Sequence, residues 1–161
     1  MIKTIKPAIF LIQETNFKPM EHFSFPNYNI IRCDRQHAVR SSDGCSILIR
    51  ENIPYSEIPL NSNLEACSIS CHLGNSRVSV CSLYLPPSNH VELTELVSLV
   101  SQIPSPLVLM GDLNAHHSEW GSTRCDSRGA VVLRLANSCN MVIKNDCSPT
   151  YISPSLDLSH A

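Results

Sequence analysis

Two polar clusters, each following an apolar run, hold the side chains best suited to chemistry. Glu14 lies in a Gln-Glu-Thr cluster after the apolar run 8–12, and Asp112 and Asn114 follow the apolar run 107–110. Reacting groups in sheet proteins gather where strands end. We therefore expect Glu14, Asp112 and Asn114 to share one edge of a sheet.

These residue types fit the hydrolysis of a phosphodiester. A divalent hard cation takes carboxylate and amide oxygens as ligands. The reaction needs such a cation, a base that orients water, and donors for the phosphoryl oxygens. In that chemistry Glu14 would supply the metal carboxylate, Asp112 would hold or deprotonate the water, and Asn114 would donate to the phosphoryl group.

The same region also has a structural interpretation. Gly-Asp-x-Asn after a strand commonly ends the strand and begins a turn, in which Asp and Asn bond their own backbone. His116 and His117 are adjacent and point apart, and a histidine pair at i,i+4 is missing, so they are interpreted as loop residues or nucleic-acid contacts. Trp120 is interpreted as a packing anchor and Tyr84 as amphipathic packing, although its hydroxyl could reach a phosphate. Three nearby cations are interpreted as solvated, with DNA phosphates as the alternative: Arg124, Arg128 and Lys144.

Length and composition bound the class of protein. A chain of 161 residues predicts a single domain over residues 1–161. The formal net charge of −2 argues against a polybasic mode of nucleic-acid binding. The apolar runs are far shorter than the roughly 20 residues of a membrane span, and the run 8–12 is too short for a signal peptide. We expect an intracellular protein.

The chain has eight cysteines, for which two interpretations compete. An even number could form four disulfides, but the chain is longer than the usual disulfide-stapled domain. A zinc ribbon is disfavoured because no Cys-x-x-Cys pair occurs. Reduced cysteines that pack as small hydrophobic side chains are therefore expected.

Apolar periodicity predicts a mixture of strands and helices. The expected strands, of which 8–12 and 107–110 read as buried on both faces, are 8–12, 28–32, 46–50, a hairpin over 66–85, 107–110, 141–143 and 151–152. One helix with apolar residues from 93 to 103 would be capped at Asn89 and Glu92, and a second would span 130–139 and end at Asn140. This mixture predicts a layered α/β sandwich.

Several motifs occur in the order seen in one family. They are Gln13-Glu14-Thr15, Tyr84-Leu85-Pro86-Pro87, the Gly-Asp-Leu-Asn-Ala-His-His-x-x-Trp-Gly run over 111–121, Ser127-Arg128-Gly129, and the segment 145–151. With them the chain resembles the endonuclease/exonuclease/phosphatase family, specifically the apurinic-type endonuclease domain of jockey-like non-LTR retrotransposons. The resemblance implies a four-layer α/β sandwich. It also implies Mg²⁺-dependent nicking of double-stranded target DNA, with Mn²⁺ as the alternative ion, to prime reverse transcription.

The resemblance also implies roles for individual residues. Glu14 corresponds to the metal ligand, Tyr84 to the phosphate-side tyrosine, and Asp157 to the aspartate of a late segment near the site. Asp112 and Asn114 correspond to the pair that positions water and stabilises the transition state. The implied partner is the reverse transcriptase domain of the parent element, and a functional copy would act in the nucleus.

Two family segments have no counterpart in this sequence, namely an early strand that carries Asn and a late Ser-Asp-His strand. An incomplete sandwich that lacks its first and last strands is therefore expected. Loss of the histidine costs about 10²-fold or more in rate, which predicts weak or absent nuclease activity. The alternatives are a phosphatase of the same fold, a non-catalytic nucleic-acid-binding remnant, and a purely structural protein.

Overall fold

The computed structural model of the protein describes residues 6–17, 22–34 and 44–148. The chain divides into two compact units, Met1–Asn114 and Ala115–Ala161. Both β-sheets and the first helix belong to the first unit. The single domain expected over 1–161 stays a prediction.

The first sheet has three strands in the described residues: β1 (Ile9–Gln13), β2 (Tyr28–Cys33) and β3 (Cys45–Arg50). The order is β1-β3-β2, and both outer strands pair antiparallel to β3. Therefore β1 and β2 run in the same direction, and their carboxyl ends lie at the same end of the sheet, which is called its edge below. Gln13, Cys45 and Cys33 form one row across that edge.

The second sheet has four strands in the described residues: β4 (Tyr55–Ile58), β5 (Glu65–Leu73), β6 (Ser76–Tyr84) and β7 (Leu107–Asp112). The strands β5 and β6 form the predicted antiparallel hairpin. The strand β7 pairs parallel to β6 after a crossover that contains α1 (Leu93–Ser101). Because β6 and β7 are parallel, their carboxyl ends meet, with Tyr84 opposite Asp112.

The hydrophobic core lies between the two sheets. Ile47 and Ile49 on β3 and Ile69 on β5 are fully buried in it. Burying an aliphatic side chain of this size stabilises a fold by about 1.5–3 kcal/mol. The alternation of side chains along β3 and β5 therefore turns one apolar face of each sheet toward the other.

The helix α1 begins later than the sequence predicted. Its N-cap is Glu92, whose backbone N–H donates to the Glu95 carboxylate at 2.9 Å. Asn89, the expected cap, lies in a turn in which its N–H donates to the carbonyl of Pro86 at 3.1 Å. The predicted capping box is thus displaced by three residues, since the reciprocal Glu92–Glu95 pair fixes the first turn.

The second unit contains a short 3-10 helix (Ser118–Trp120) and α2 (Ser127–Ser138). Asn140 adopts φ +52° and ends α2 as predicted. The strand predicted over 141–143 is wrong: the Met141 N–H closes the helix end by donating to the Ala136 carbonyl at 2.8 Å, and Val142 is exposed. The strand expected at 151–152 lies outside the described residues.

Two strands are less buried than predicted. The runs 8–12 and 107–110 do form β1 and β7, but Phe10, Val108 and Met110 are 37%, 42% and 53% exposed. The exposed side chains alternate with the half-buried Ile9 and Leu11 on β1 and Leu107 and Leu109 on β7, so within the described residues one face of each strand lies open. The short strand β4 was not predicted because it carries only Tyr55 and Ile58 as strand-forming apolar residues.

The mixed α/β class with two sheets is confirmed, whereas the four layers and the missing first and last strands stay predictions. Among the described residues, helices fall short of the length and apolarity that a bilayer span requires.

The eight cysteines are free thiols, and the prediction that they pack as small hydrophobic side chains is confirmed for four of them but is wrong for the exposed Cys125 and Cys147. Cys45, Cys67, Cys71 and Cys81 are buried. Burial raises the pKa of Cys81 to about 12, and it also raises the pKa of Cys71. These thiols are therefore poor nucleophiles in the folded protein, because the thiolate is the reactive form.

We expect native-state alkylation to separate the cysteines into two classes. At pH 8, iodoacetamide should modify the exposed Cys125 and Cys147 first, and the four buried thiols only after denaturant is added. Peptide mass spectrometry measures the order. Modification of Cys81 as fast as that of Cys125 in the folded protein would contradict the burial of this strand.

Candidate active site

Two side-chain hydrogen bonds link the end of β1, at the consecutive residues Gln13 and Glu14, to β6 of the second sheet. Gln13, the last residue of β1, donates from Nε2 to the Ser82 hydroxyl on β6 at 3.0 Å. The Tyr84 hydroxyl at the end of β6 donates to Glu14 Oε1, also at 3.0 Å. The sequence predicted the candidate residues Glu14 and Tyr84, and the structure brings them together.

The backbone around Glu14 is held in an uncommon conformation. Glu14 has φ +52°, a left-handed value that non-glycine residues rarely adopt. The next residue, Thr15, donates its N–H to the Gly44 carbonyl at 3.3 Å, just before β3. Such strained residues persist where the surrounding structure fixes them, and they cluster at functional sites.

Gly44 is fixed in turn by a buried carboxylate. Its N–H donates to Glu65 Oε2 at 2.6 Å, and Glu65 is only 9% exposed. A side chain at Gly44 would be strained at φ +88° and would approach the Thr15 hydroxyl to 2.9 Å. The bonds from the Gly44 N–H to Glu65 and from the Thr15 N–H to the Gly44 carbonyl link β5 to the turn at Glu14. Glu65 also opposes Tyr84 in the hairpin register. Sequence reasoning missed Glu65, although a charged residue beside the strand 67–73 was a usable signal.

Asp112 reaches the same edge through strand pairing. It opposes Tyr84 in the parallel register, and its carbonyl accepts the N–H of Leu85 at 3.0 Å. Gly111 precedes it, and a Cβ at that position would overlap the carbonyl of Leu83. The glycine therefore permits the close approach of β6 and β7 that aligns Asp112 with Tyr84.

Asn114 is tied back to the strand ends. Its N–H donates to Asp112 Oδ1 at 3.0 Å, and its Nδ2 donates to the Leu85 carbonyl at 3.1 Å. With φ +46°, the chain turns here instead of staying extended. The structural interpretation as a turn is thus confirmed. The turn still leaves the side chains of Asp112 and Asn114 at the strand ends. The donation from Asn114 to a phosphoryl group stays a prediction.

The donor set at this edge suits a hard cation held by few protein ligands. Glu14 and Asp112 are exposed carboxylates at the ends of β1 and β7, and these two strands contact each other. Among residues 6–17, 22–34 and 44–148, no group of three acidic, histidine or cysteine side chains is arranged to hold a metal. Mg²⁺ commonly uses one or two carboxylates, with water and substrate phosphate completing its shell, so the two residues fit that ion. The other predicted site residue, Asp157, lies outside the described residues.

In the second unit, His116 has a structural role. Arg124 can only donate, so the contact of 2.7 Å from its guanidinium nitrogen assigns His116 Nε2 as the acceptor. The Nδ1–H then donates to the Ser122 hydroxyl at 3.1 Å. His117 caps the 3-10 helix by accepting the Glu119 N–H at 3.2 Å. The interpretation of both histidines as loop residues is therefore confirmed.

Trp120 and Asp126 complete the same loop. The indole N–H of Trp120 donates to the Ala115 carbonyl at 3.0 Å, in agreement with its interpretation as a packing anchor. Asp126 is the N-cap of α2 and accepts the Gly129 N–H at 2.6 Å and the His116 N–H at 3.3 Å. The segment that begins with the two histidines thus forms a loop held by its own hydrogen bonds, which leads into the start of α2.

Comparison with known structures agrees with the α/β fold. The endonuclease domain of TRAS1, a telomere-specific non-LTR retrotransposon, matches with a TM-score of 0.69 and 20% identity over 89% of this chain and 64% of that chain. The fold is therefore that of an endonuclease domain.

Sequence comparison defines the family. The model described as Endonuclease-reverse transcriptase matches residues 78–160, just over half of the chain, and the chain belongs to this family. The RNA-directed DNA polymerases from the mobile element jockey of Drosophila funebris and Drosophila melanogaster are 24% and 22% identical over 147 residues. These matches cover 90% of this chain but only 16% of each relative's length.

Replacing Tyr84 by Phe should remove the hydroxyl that orients Glu14 while keeping the buried ring. We expect the free energy of unfolding to fall by about 1 kcal/mol. Urea denaturation measures this. Tyr55→Phe is the matched control, because the Tyr55 hydroxyl makes no hydrogen bond to any residue that the structure describes. This change should alter the free energy of unfolding little. Equal stability of the wild type and the Tyr84 variant would contradict the bond to Glu14.

Asp126 should make α2 sensitive to acid. Burial acts to raise the pKa of its carboxyl, but the backbone N–H groups of Gly129 and His116 and the nearby charge of Arg124 lower it by more, so the pKa lies below its ordinary value. A lowered pKa stabilises the fold above the unfolded value of about 3.9, and this contribution is lost as the pH falls through the folded value.

We therefore expect the melting temperature of the wild type to fall more between pH 5 and pH 2.5 than that of Asp126→Asn, which keeps an N-cap acceptor without the charge. Melting followed by circular dichroism measures both curves. Parallel curves over this range would show that the Asp126 charge has no such role.

Proposed function

We propose that this chain is the endonuclease part of a non-LTR retrotransposon protein and that it nicks double-stranded DNA with Mg²⁺. Water would add to the phosphorus of one phosphodiester and the bond to the 3′ oxygen would break. The resulting 3′-hydroxyl end would prime reverse transcription. The observation that carries the proposal is the hydrogen bond between Tyr84 and Glu14, with Asp112 aligned beside Tyr84, in a chain of this family.

Two carboxylates would act directly on the ion and the water, and Tyr84 would position one of them. Glu14 and Asp112 would hold the ion, which when bound neutralises charge on the phosphoryl oxygens. Asp112 would also orient the attacking water. Tyr84 holds one Glu14 oxygen by its hydroxyl, which leaves the second oxygen of that carboxylate as the one directed to a ligand.

Asn114 would contribute in two ways. Its backbone N–H holds one oxygen of Asp112, which limits the orientations of that carboxylate. Its side-chain amide uses one N–H on the Leu85 carbonyl, and an amide nitrogen carries two. The second N–H would donate to the phosphoryl group as the transition state forms.

The relatives support the proposed partner. The matching jockey proteins are RNA-directed DNA polymerases of which this chain spans a small part, so we propose that a reverse transcriptase domain accompanies it in the parent element. A DNA target also implies action in the nucleus.

A non-catalytic nucleic-acid-binding remnant is the second candidate. The observation in its favour is that Asp112 and Asn114 are engaged in a turn at the strand end. The two candidates differ in their response to chelator, because binding by a remnant would persist without Mg²⁺ and would produce no nick.

Supercoiled plasmid separates the two proposals. We expect Mg²⁺-dependent conversion to the open circle, and Glu14→Gln and Asp112→Asn should each lower its rate by about 10²-fold or more. The control is Glu57→Gln, which removes an exposed carboxylate on β4 at the far edge of the second sheet and should leave the rate unchanged. Gel electrophoresis measures the rate of nicking, and it also shows whether the wild-type rate is as low as the sequence predicts.

Nicking that persists undiminished in both the Glu14 and Asp112 variants would refute the proposed site. Binding that survives chelator, with no nick at any Mg²⁺ concentration, would favour the remnant.

A further inference from the structure

A second feature of the first unit lies close to the candidate site and takes no part in it. The rings of Phe17 and Phe23 stack with centroids 4.1 Å apart and planes 24° from parallel. Phe23 remains 40% exposed, although it is a large apolar side chain. Parallel aromatic rings with exposed surface offer a flat face on which another planar group can stack.

Arg32 holds this aromatic pair in place. Its guanidinium carbon lies 4.8 Å from the Phe17 centroid and 5.7 Å from the Phe23 centroid. The guanidinium is itself fixed by Asp34 at 2.8 Å, and both side chains of that ion pair are 18% exposed. The two rings and the guanidinium, here called the stacking platform, are therefore preorganised.

The stacking platform lies at the same edge of the first sheet as Glu14. The ends of β1 and β2 share one row, in which Gln13 and Cys33 are separated by the β3 residue Cys45. Two strand spacings place the ends of β1 and β2 about 10 Å apart. Phe17 follows Glu14 by three residues, and Arg32 and Asp34 flank the end of β2.

This separation matches a nucleic-acid strand that crosses the edge. Stacked nucleotides rise about 3.4 Å each along a strand. If one phosphate of a DNA strand lies at Glu14, a base about three nucleotides away along the strand would therefore reach the platform. The ion pair of Arg32 with Asp34 leaves little net positive charge for a phosphate, so the chemistry favours the uncharged face of a base.

We propose that Phe17 and Phe23, held by Arg32, stack on an unpaired base that flanks the scissile phosphate of the DNA strand. This inference rests on the proposed nuclease function and adds a substrate preference to it. The platform would favour DNA in which a base near the cleavage position is unpaired or easily unstacked, because only an unpaired base exposes its face to the two rings.

The test measures DNA binding in chelator, so that it does not depend on cleavage. The probes are three fluorescein-labelled DNAs, namely a fully paired duplex, the same duplex with one unpaired adenine, and the single strand. Fluorescence anisotropy gives a Kd for each. Phe23→Leu keeps an apolar side chain but removes the aromatic face, and Phe23→Tyr restores an aromatic face.

We expect Phe23→Leu to raise the Kd for the DNA with the unpaired adenine by about fivefold or more, and Phe23→Tyr to restore it. The Kd for the fully paired duplex should change less than twofold. The matched control is Phe10→Leu, because Phe10 is 37% exposed on β1 and contacts Tyr28 outside the platform. It should change neither Kd, and the circular dichroism spectra of all variants should agree.

The proposal is overturned if Phe23→Leu leaves the preference for the unpaired adenine unchanged, or if Phe10→Leu lowers it equally. It is also overturned if the platform variants alter only self-association of the chain. Plasmid nicking that depends on Glu14 and Asp112, together with an unchanged preference in Phe23→Leu, would refute the platform alone. Failure of the wild type to bind any of the three DNAs would refute both the platform and the nuclease function.

Discussion

The site depends on a polar connection between the two sheets. An apolar core holds sheets together without fixing how their ends align, because the hydrophobic effect has no direction. The hydrogen bonds from Gln13 to Ser82 and from Tyr84 to Glu14 supply that direction at one edge. They convert two strand ends, which belong to different sheets, into a single surface that presents two carboxylates.

Several apparently unrelated residues support that connection. Gly44 admits the close approach of Thr15, and the buried Glu65 holds the Gly44 N–H. Gly111 admits the close pairing of β6 and β7 beside Leu83. These residues do no chemistry of their own. Each removes a freedom that would otherwise let Glu14 or Asp112 turn away, and such preorganisation is what electrostatic catalysis requires.

Much of this arrangement could be predicted from the sequence. The rest could not, and the reasons are physical. Period-two alternation predicted the hairpin, and polar residues after apolar runs predicted that Glu14 and Asp112 would lie at strand ends. The exposure of Met110 was missed because an apolar run does not show whether both faces of its strand are covered. The Phe17–Phe23 stack was missed because it depends on a contact between residues from separate segments, which no local pattern encodes. Glu65 stands out locally as a charged residue beside a strand, but its contact with the Gly44 N–H does not.

We propose that Glu14 and Asp112 hold a single divalent cation between the two sheets. Titration with Mn²⁺ followed by electron paramagnetic resonance tests it without substrate or turnover. We expect one Mn²⁺ site per chain, with an affinity that falls strongly in Glu14→Gln and equally strongly in Asp112→Asn. Mn²⁺ binding that survives intact in either variant would contradict it.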